Sequence, residues 1–328
     1  MRAVVVREFG EPASLAIENI VPPVIGPDEV LVDVKAVSVN FVDLLVIGGT
    51  YQFLPPRPFT PGKLPVGIVS AIGANVRTLA IGDRVLTQAE HGGYAEQAAA
   101  IADQCYRIPD SMPFTHAAAM ALAFDTAWFA LHERAFVRPG ESVLVLGATG
   151  AVGLAVIQLA KAFGARVLAG VSSPSKASIV RDVGADAVID LSVNDLHDNL
   201  REQVRLATDG KGADVVIDPL GDRFFAAALR AMAWSGRLVV VGFAAGDIPT
   251  MKVNYLMLKN INVSGLQVSD YRKRMPSRMK ECFNDIFSLY EKGQLKPPTM
   301  SIRPLNEFAG ALEEIRSRKA KERIVLVP

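Results

Sequence analysis

The feature that most constrains this chain is a glycine-rich turn within SVLVLGATGAVGLAVIQLAKAFGARVLAGVSS, residues 142–173. An apolar run at 142–146 predicts a β-strand, the stretch after the turn predicts a helix, and residues 166–169 predict a second strand. Strand, turn, helix and strand at this spacing are typical of units that bind the pyrophosphate of a dinucleotide. Glycine turns also occur where only tight packing is needed, but the complete context favours cofactor binding.

Each position of this turn has an expected role. Gly150 lets the backbone approach a pyrophosphate, and Gly153 lets the helix pack closely against the strand. The first helical turn, with Ala151 and Val152, offers amide groups and the positive end of the helix dipole to an anion. Ala148 stands where the first glycine of the pattern is usual, so the turn must tolerate a methyl group. We predict that residues 150–153 bind cofactor phosphates.

The end of the second strand indicates which cofactor binds. An NAD site usually has Asp or Glu about 20 residues after the glycine turn. This chain has Ser172, Ser173 and Lys176 there, and no carboxylate before Asp182. Hydroxyl groups and a cation suit a 2′-phosphate, so we predict these three residues bind NADPH in preference to NADH. Lys176 as a solvated lysine at a helix start is the alternative.

The hydrophobic pattern predicts an α/β protein of two domains. Further strands at 187–189, 215–217 and 237–241 alternate with helical stretches, which is typical of a parallel sheet. The first third consists of short Val-rich runs broken by Gly and Pro, which predict strands and turns. The tail has helical patterns at 283–295 and 305–319 and a final strand, RIVLVP, that we expect to return to the first domain. A length of 328 residues also favours two domains.

Composition excludes some classes of partner. The formal charge of +1 gives no general reason to expect nucleic acid or an anionic membrane as partner. The cations at 272–274 are interpreted as a solvated surface. The apolar stretch at 117–131 is interrupted by Asp125, which favours a buried helix over a membrane span. Cys105 and Cys282 form no disulfide framework, and the amino terminus lacks a signal-like apolar run, so we expect a cytoplasmic protein.

Ordered motifs along the chain resemble a known family. They include VNFVDLLVIGGTYQ, PFTPG, IGDRV, GGYAEQ, GATGAVG, GADAVID, WSGRLVVVGFAAG and SRKAKERIVLVP. The chain resembles the zinc-independent quinone oxidoreductases, the zeta-crystallin-like branch of the medium-chain dehydrogenase/reductase superfamily. The resemblance implies a GroES-like, β-rich catalytic domain at 1–120 and 262–328. It also implies a Rossmann domain with a doubly wound parallel sheet at 121–261, and a homodimer formed along the sheet edge near 242–267.

The resemblance also implies catalytic residues. Asn40 is expected to offer its amide to the nicotinamide or a substrate oxygen. Asp43 is expected to organise the same loop, or alternatively to act as an acid at a helix N-terminus. Tyr51 is expected to donate a proton, or alternatively to pack against substrate at the rim of the site. The further cofactor contacts that the resemblance implies are Thr126, Gly242, Phe243, Gly265, Leu266 and Arg318, while Leu191 stands where relatives often have a tyrosine.

No zinc site is expected. Asn40, Lys63, Leu64 and roughly Leu122 stand where zinc-containing relatives have ligands, and none of these types is a usual zinc ligand. The four histidines are scattered without ligand spacing. Leu64 also makes the wall formed by PGKLPVG more apolar than the family pattern, which has an acid there.

Three functions are compatible with these features. The first is hydride transfer from NADPH to a quinone or another small conjugated carbonyl acceptor. The second is NADPH-dependent reduction of an activated C=C bond, as in a 2-alkenal, an acrylate or an enoyl thioester. The third, of another class, is an NADPH-binding structural or regulatory protein.

Overall fold

The computed structural model describes residues 1–328, which divide into two compact units. The first unit comprises Met1–Leu122, Arg274–Phe283 and Lys296–Pro328, and the second comprises Ala123–Lys273 and Asn284–Leu295. Both ends of the chain therefore belong to one unit and the middle to the other. The expected fold class, a GroES-like sheet-rich part and a Rossmann-like parallel sheet, is confirmed.

Fifteen strands run through the chain. In chain order they are β1 Arg2–Val5, β2 Ala16–Asn19, β3 Glu29–Ser38, β4 Val66–Ile72, β5 Arg84–Thr87, β6 Gln97–Ile101, β7 Cys105–Arg107, β8 Ser142–Val145, β9 Arg166–Val171, β10 Ala187–Asp190, β11 Ala213–Asp218, β12 Met232–Val240, β13 Asn262–Gly265, β14 Met300–Pro304 and β15 Arg323–Val327.

Ten α-helices connect them. They are α1 Phe41–Ile47, α2 Phe114–Trp128, α3 Ala151–Ala162, α4 Ala177–Asp182, α5 Leu196–Ala207, α6 Asp222–Ala231, α7 Asn254–Lys259, α8 Val268–Arg274, α9 Pro276–Glu291 and α10 Phe308–Arg316. A π-helix, Phe129–Arg134, continues directly from α2. None of these helices has both the length and the apolar character that a membrane crossing needs.

The first unit is built on a seven-stranded sheet. Its order is β14-β15-β3-β4-β5-β7, with β6 also paired to β3, while β1 and β2 form a separate antiparallel pair. Strand β15 pairs antiparallel with β3 through Val325 opposite Ser38. The final strand of the tail therefore lies in the first unit, whereas residues 284–295 of the tail belong to the second unit. This pairing brings the last strand of the chain beside the segment that leads into α1.

The second unit is built on a six-stranded sheet in which every pair is parallel. The strand order is β10-β9-β8-β11-β12-β13, so successive strands are added on one side of β8 and then, from β11 onwards, on its other side. In doubly wound sheets, the carboxyl ends of the strands at such a reversal form the usual ligand crevice. Residues 143–145 of β8 are completely buried, as expected for a strand covered on both faces. The last strand of this sheet, β13, begins at Asn262. The sequence analysis placed the end of the Rossmann domain at residue 261, so β13 lies just beyond that predicted boundary.

The burial of helix α2 agrees with the sequence analysis, but the prediction for a residue that contacts this helix is wrong. The stretch 117–131 is helical and almost wholly buried, as expected, and Trp128 and Phe129 lie in the core. The solvated surface expected at 272–274 is wrong for Arg272, which is 3% exposed. Its guanidinium lies 2.9 Å from the Asp125 carboxylate, and a buried counter-charge explains why this cation leaves water.

Candidate functional site

The glycine turn joins β8 to α3. Gly147 has a φ of +59°, so the left-handed conformation falls on a glycine and Ala148 avoids it. A Cβ at Gly153 would lie 2.6 Å from the carbonyl oxygen of Gly147, which is closer than real contacts allow. A positive φ at Gly147 and a close approach at Gly153 therefore require glycine, and the turn tolerates the Ala148 methyl group.

The N-terminus of α3 can hold an anion. Gly150 is the N-cap residue, no side chain caps the helix, and its first turn contains no acid. The amides of Ala151, Val152 and Gly153 belong to the first turn, where an α-helix leaves N–H groups without intrahelical acceptors. The helix dipole adds positive potential at the same end. Backbone donors without side-chain competition fit the pyrophosphate of a dinucleotide.

The end of β9 gathers two hydroxyl groups and a cation. Ser172 and Ser173 directly follow the strand, and Lys176 donates to the Ser172 hydroxyl at 3.3 Å. Ser173 is the N-cap of the short 3₁₀ helix that contains Lys176. The structure thus brings together the three residues expected to bind a 2′-phosphate.

One acid near this cluster, Asp190, was not identified from the sequence. Asp190, the last residue of β10, is opposite Val171 in the parallel register, one residue before Ser172. Its Oδ1 atom accepts hydrogen bonds from the amide and hydroxyl of Ser192, at 2.8 and 2.6 Å. Counting along the chain after Gly153 could not find it, because the carboxylate comes from the neighbouring strand.

Other expected cofactor contacts meet at the carboxyl ends of β12 and β13. Gly265 is opposite Val240 in the parallel register, and the Leu266 amide donates to the Val240 carbonyl at 2.9 Å. Gly242 and Phe243 follow β12 after one intervening residue, and Phe243 is 42% exposed. These four expected residues therefore lie at the same edge of the sheet as the glycine turn.

Asp218 ends β11 at this edge and was not singled out from the sequence. Its Oδ1 atom accepts from the amides of Leu220 and Gly221, at 2.8 and 2.9 Å. Its other oxygen, Oδ2, is buried without a hydrogen-bond partner. Burial raises the pKa of Asp218, and the two amide hydrogen bonds oppose that rise.

Thr126 and Arg318 belong to different units. Thr126 lies in α2 within the second unit and is partly exposed, whereas every other residue from 123 to 131 is buried. Arg318 is exposed in the first unit, between α10 and β15. Its expected contact with the cofactor stays a prediction.

Asn40 is held by its own unit. It is 4% exposed and is the N-cap residue of α1. Its side-chain nitrogen donates to the carbonyl of Ser38 at 3.0 Å, and its side-chain oxygen accepts from the Arg323 guanidinium. Arg323 also donates to the Ser38 hydroxyl at 2.9 Å and to the Val39 carbonyl at 3.1 Å. Both ends of the Asn40 amide are therefore engaged within the protein, which favours a positioning role for it.

Asp43 is also internal. Its carboxylate accepts from the backbone N–H of Asn40 at 2.8 Å and from the Tyr94 hydroxyl at 3.0 Å. Burial raises the pKa of Asp43; the two hydrogen bonds and the charges of Lys63 and Arg323 oppose that rise. Burial also lowers the pKa of Arg323 to about 10. These contacts fix the start of α1, and the functional role expected for Asp43 stays a prediction.

Tyr51 lies beside a buried lysine. Tyr51 is partly exposed, and the Lys63 ammonium lies 4.9 Å from the centre of its ring. Lys63 is 3% exposed, is the only buried lysine of the chain, and is ion-paired with Glu90. A cation over an aromatic face is attracted to the ring, so Lys63 restrains Tyr51. The sequence identified Lys63 only as a residue that is not a usual zinc ligand, and nothing in the sequence linked Lys63 to Tyr51.

The wall next to Lys63 is apolar. Leu64 is 1% exposed and adopts a φ of +55°, which is unusual for a leucine. The structure contains no group of three or more His, Cys, Asp and Glu side chains that could hold a metal ion.

Comparisons with known proteins agree with this arrangement. Residues 26–110 match the family described as "Alcohol dehydrogenase GroES-like domain", and residues 151–285 match "Zinc-binding dehydrogenase". The Nematostella vectensis protein named "Quinone oxidoreductase-like protein 2 homolog" is 36% identical over 99% of this chain and 88% of its own length. The Mus musculus protein named "Quinone oxidoreductase" is 36% identical over 96% of this chain and 94% of its own. The solved structure of Escherichia coli quinone oxidoreductase complexed with NADPH superposes with a TM-score of 0.90 at 28% identity, covering 100% of both chains.

Proposed function

The chain belongs to the quinone oxidoreductase family of the medium-chain dehydrogenase/reductase superfamily, and on this premise we propose that it uses NADPH to reduce quinones or other small conjugated carbonyl compounds. The observation that carries the proposal is the uncapped, glycine-lined N-terminus of α3 at the reversal point of the parallel sheet. When bound, a reduced nicotinamide supplies the hydride. The chain's own residues bind the cofactor, orient the acceptor and supply its proton.

The preference for NADPH rests on the end of β9. Ser172, Ser173 and Lys176 offer two hydroxyl groups and an ammonium to a 2′-phosphate. The Asp190 carboxylate on the neighbouring strand repels a 2′-phosphate, but its Oδ1 atom already accepts a hydrogen bond from Ser192. The cation and the hydroxyl groups dominate, so NADPH binds more tightly than NADH.

Tyr51 is the catalytic residue of the proposal. Its hydroxyl donates the proton that the reduced acceptor needs, and Lys63 keeps the ring in place. Asn40 and Asp43 are positioning residues, because their polar atoms bind other parts of the same unit.

Reduction of an activated C=C bond is the second candidate. Tyr51 favours it, since a partly exposed tyrosine can supply the proton that a saturated product requires. Phe53 and Leu54 follow Tyr51 and are 40% and 39% exposed, so an apolar surface adjoins this donor along the chain. Such a surface accepts the hydrocarbon part of an enone as readily as that of a quinone.

The proposal includes a zinc-independent reaction in a cytoplasmic protein. The Lys63 ammonium forms an ion pair with Glu90 where zinc-containing relatives are expected to carry a ligand, and an ammonium cannot coordinate a metal. Neither cysteine forms a disulfide, which suits a reducing compartment. Elemental analysis of the purified protein tests this part, because stoichiometric zinc would contradict it.

A homodimer is also proposed, formed along β13. This strand is at the edge of its sheet, and an unpaired edge offers backbone groups to another strand. Nearby α7 has no buried residue, and its Met257 and Leu258 are 73% and 65% exposed. An apolar surface next to an open edge suits a second copy of the same edge, related by a twofold axis.

Steady-state NADPH oxidation tests the function. The purified chain is assayed with a panel of quinones, 2-alkenals and acrylates, each with NADPH and with NADH. We expect turnover of at least one quinone and a higher kcat/KM for NADPH. Turnover of alkenes alone would select the second candidate. NADPH binding without turnover of any acceptor would favour a structural or regulatory role, and the absence of binding would overturn the assignment.

A further inference from the structure

Arginine side chains from two helices of the second unit line a cleft of about 760 Å³. Arg201 and Arg205 are one helical turn apart on α5, so their side chains lie on the same face of that helix. Arg230 comes from the last turn of α6, which packs against α5 in a shared apolar core. Three guanidinium groups, the cleft arginines, therefore line one cavity.

Acidic side chains compensate only part of this charge. Asp198 and Glu202 also line the cleft, and the Asp198 carboxylate lies 2.9 Å from the Arg230 guanidinium. Spacings of three residues on α5 would allow Asp198 to pair with Arg201, and Glu202 with Arg205, but the structure contains neither ion pair. Arg201 makes no hydrogen bond, and Arg205 makes one, from its Nε atom. The terminal nitrogens of both guanidinium groups are therefore available to a ligand.

A fourth cation increases the positive potential. The Lys259 ammonium donates to the carbonyls of Arg230 and Met232, both at 2.8 Å, at the carboxyl end of α6. Burial lowers the pKa of Lys259, and the charges of the three cleft arginines lower it further. Four positive charges are thus close enough to repel one another, although only two acids line the cleft. Crowded like charges destabilise a folded chain, and a bound anion relieves that repulsion.

The cleft is separate from the expected cofactor site of the same unit. Gly210, which also lines it, comes shortly before β11, and Arg230 comes shortly before β12. The cleft therefore lies towards the amino ends of these parallel strands. The glycine turn and the end of β9 are at the carboxyl ends, at the opposite edge of the sheet. An anion in the cleft would occupy neither the pyrophosphate site nor the 2′-phosphate site.

We propose that Arg201, Arg205 and Arg230 form a binding site for a multivalent phosphate anion, in addition to the cofactor site. Guanidinium groups match phosphate oxygens with paired N–H donors. An anion with several charges suits this cleft, because four cations outnumber the two acids there. Leu206, 85% exposed, adds an apolar surface to the lining, which would contact the organic part of an organic phosphate. A free polyphosphate and an organic polyphosphate share this chemistry, and the experiment distinguishes them.

The test uses the full chain saturated with NADPH, so that the cofactor phosphates occupy their own sites. Calorimetry measures the Kd of inorganic tripolyphosphate and of UTP, and hydrogen exchange locates the segments that each probe protects. R201Q/R205Q removes two cleft charges. R138Q/R223Q is the matched control, because these two exposed arginines of the same unit lie outside the cleft. E202Q removes the cleft acid that has no ion-pair partner.

We expect tripolyphosphate to bind the wild type and to protect α5 and α6 from exchange. Its Kd should rise about tenfold or more in R201Q/R205Q and change by less than about twofold in R138Q/R223Q, because charge-assisted hydrogen bonds act only where they contact the anion. E202Q should bind the anion more tightly, since an opposing charge is gone. Tighter binding of UTP than of tripolyphosphate would identify an organic phosphate as the occupant, and the reverse order would identify a free polyphosphate.

Three results would overturn the inference: no binding of either probe at millimolar concentration, equal affinities of the wild type and R201Q/R205Q, or protection confined to the glycine turn and the end of β9. If R201Q/R205Q does not fold, R201Q carries the same test, because Arg201 has no hydrogen bond or ion pair to lose. Failure of NADPH to bind would contradict the proposed function and not this inference, since hydrogen exchange still locates the anion.

Discussion

The Tyr94 hydroxyl donates a 3.0 Å hydrogen bond to the Asp43 carboxylate, and both side chains are fully removed from solvent. Burial, followed by the charge of Asp43, raises the pKa of Tyr94 well above its usual value, so the phenol stays protonated as a donor. Asp43 in turn accepts a hydrogen bond from the backbone N–H of Asn40 at the start of α1. Tyr94, which precedes β6, therefore helps to fix α1, and Tyr51 follows that helix in the chain.

Replacing Tyr94 with phenylalanine should destabilise the first unit. The variant removes one buried donor from Asp43, and an unsatisfied buried acceptor costs about 1–3 kcal/mol. Urea unfolding of Y94F should show this decrease in the free energy of unfolding, and Y255F, at a partly exposed tyrosine, should not. Equal stabilities of Y94F and the wild type would show that the hydrogen bond contributes nothing net.

Replacing Tyr51 with phenylalanine tests the proton donor. Y51F keeps the ring over which the Lys63 ammonium lies and removes only the hydroxyl. Loss of a general acid should lower kcat by about 10²–10⁴-fold with little change in KM. Steady-state kinetics with an alkenal and a quinone measure both constants. A rim aromatic that only packs against the acceptor would instead leave kcat at the wild-type value.

Reversing the charge of Lys176 tests the 2′-phosphate site. K176E places a carboxylate beside Ser172, so kcat/KM for NADPH should fall by about tenfold or more through lost attraction and new repulsion. The value for NADH should change little, because its ribose carries no phosphate. K161E, on the far end of α3, is the control for a general charge effect. A uniform decrease for both cofactors in K176E would remove Lys176 from the phosphate site.

Introducing charge at the exposed surface of α7 tests the proposed homodimer. M257E/L258E places carboxylates on a face that is 73% and 65% exposed at these positions, so the isolated chain should tolerate them. Burying two charges against a second copy is unfavourable, so sedimentation should show monomers where the wild type is dimeric. L206E, at an 85% exposed position on α5, should sediment as the wild type. Dimers of unchanged affinity in M257E/L258E would exclude this surface.

Local spacing made part of the structure predictable. The turn from Gly147 to Gly153 follows from residues close in sequence, because glycine is required where backbone atoms approach or φ is positive. The alternation of strands and helices likewise predicted the parallel sheet of the second unit. Sequence patterns report such features directly, since each depends on neighbours within about one supersecondary unit.

Partners distant in sequence were not predictable. Arg272 binds Asp125 across 147 positions, and Arg323 binds Asn40 across 283. A run of three cations looks solvated when its buried counter-charge lies in another helix. The Asn40 amide looked available for a ligand because nothing near it in sequence indicated Arg323. Asp190 escaped notice for the same reason, since strand pairing alone brings it beside the end of β9.

Cys105 should make the protein less stable in alkali. Burial raises the pKa of its thiol from 9.0 to about 12. Between these values the unfolded chain loses the proton and the folded chain keeps it, so the stabilisation present below pH 9 is lost as pH rises towards 12. The loss should approach about 1.4 kcal/mol per pH unit, and C105A should lack it. Urea unfolding of both proteins at pH 8, 9 and 10 measures the difference, below the range where Tyr94 contributes strongly. Identical pH dependence in the two proteins would mean that the Cys105 thiol ionises as easily in the folded chain as in the unfolded one.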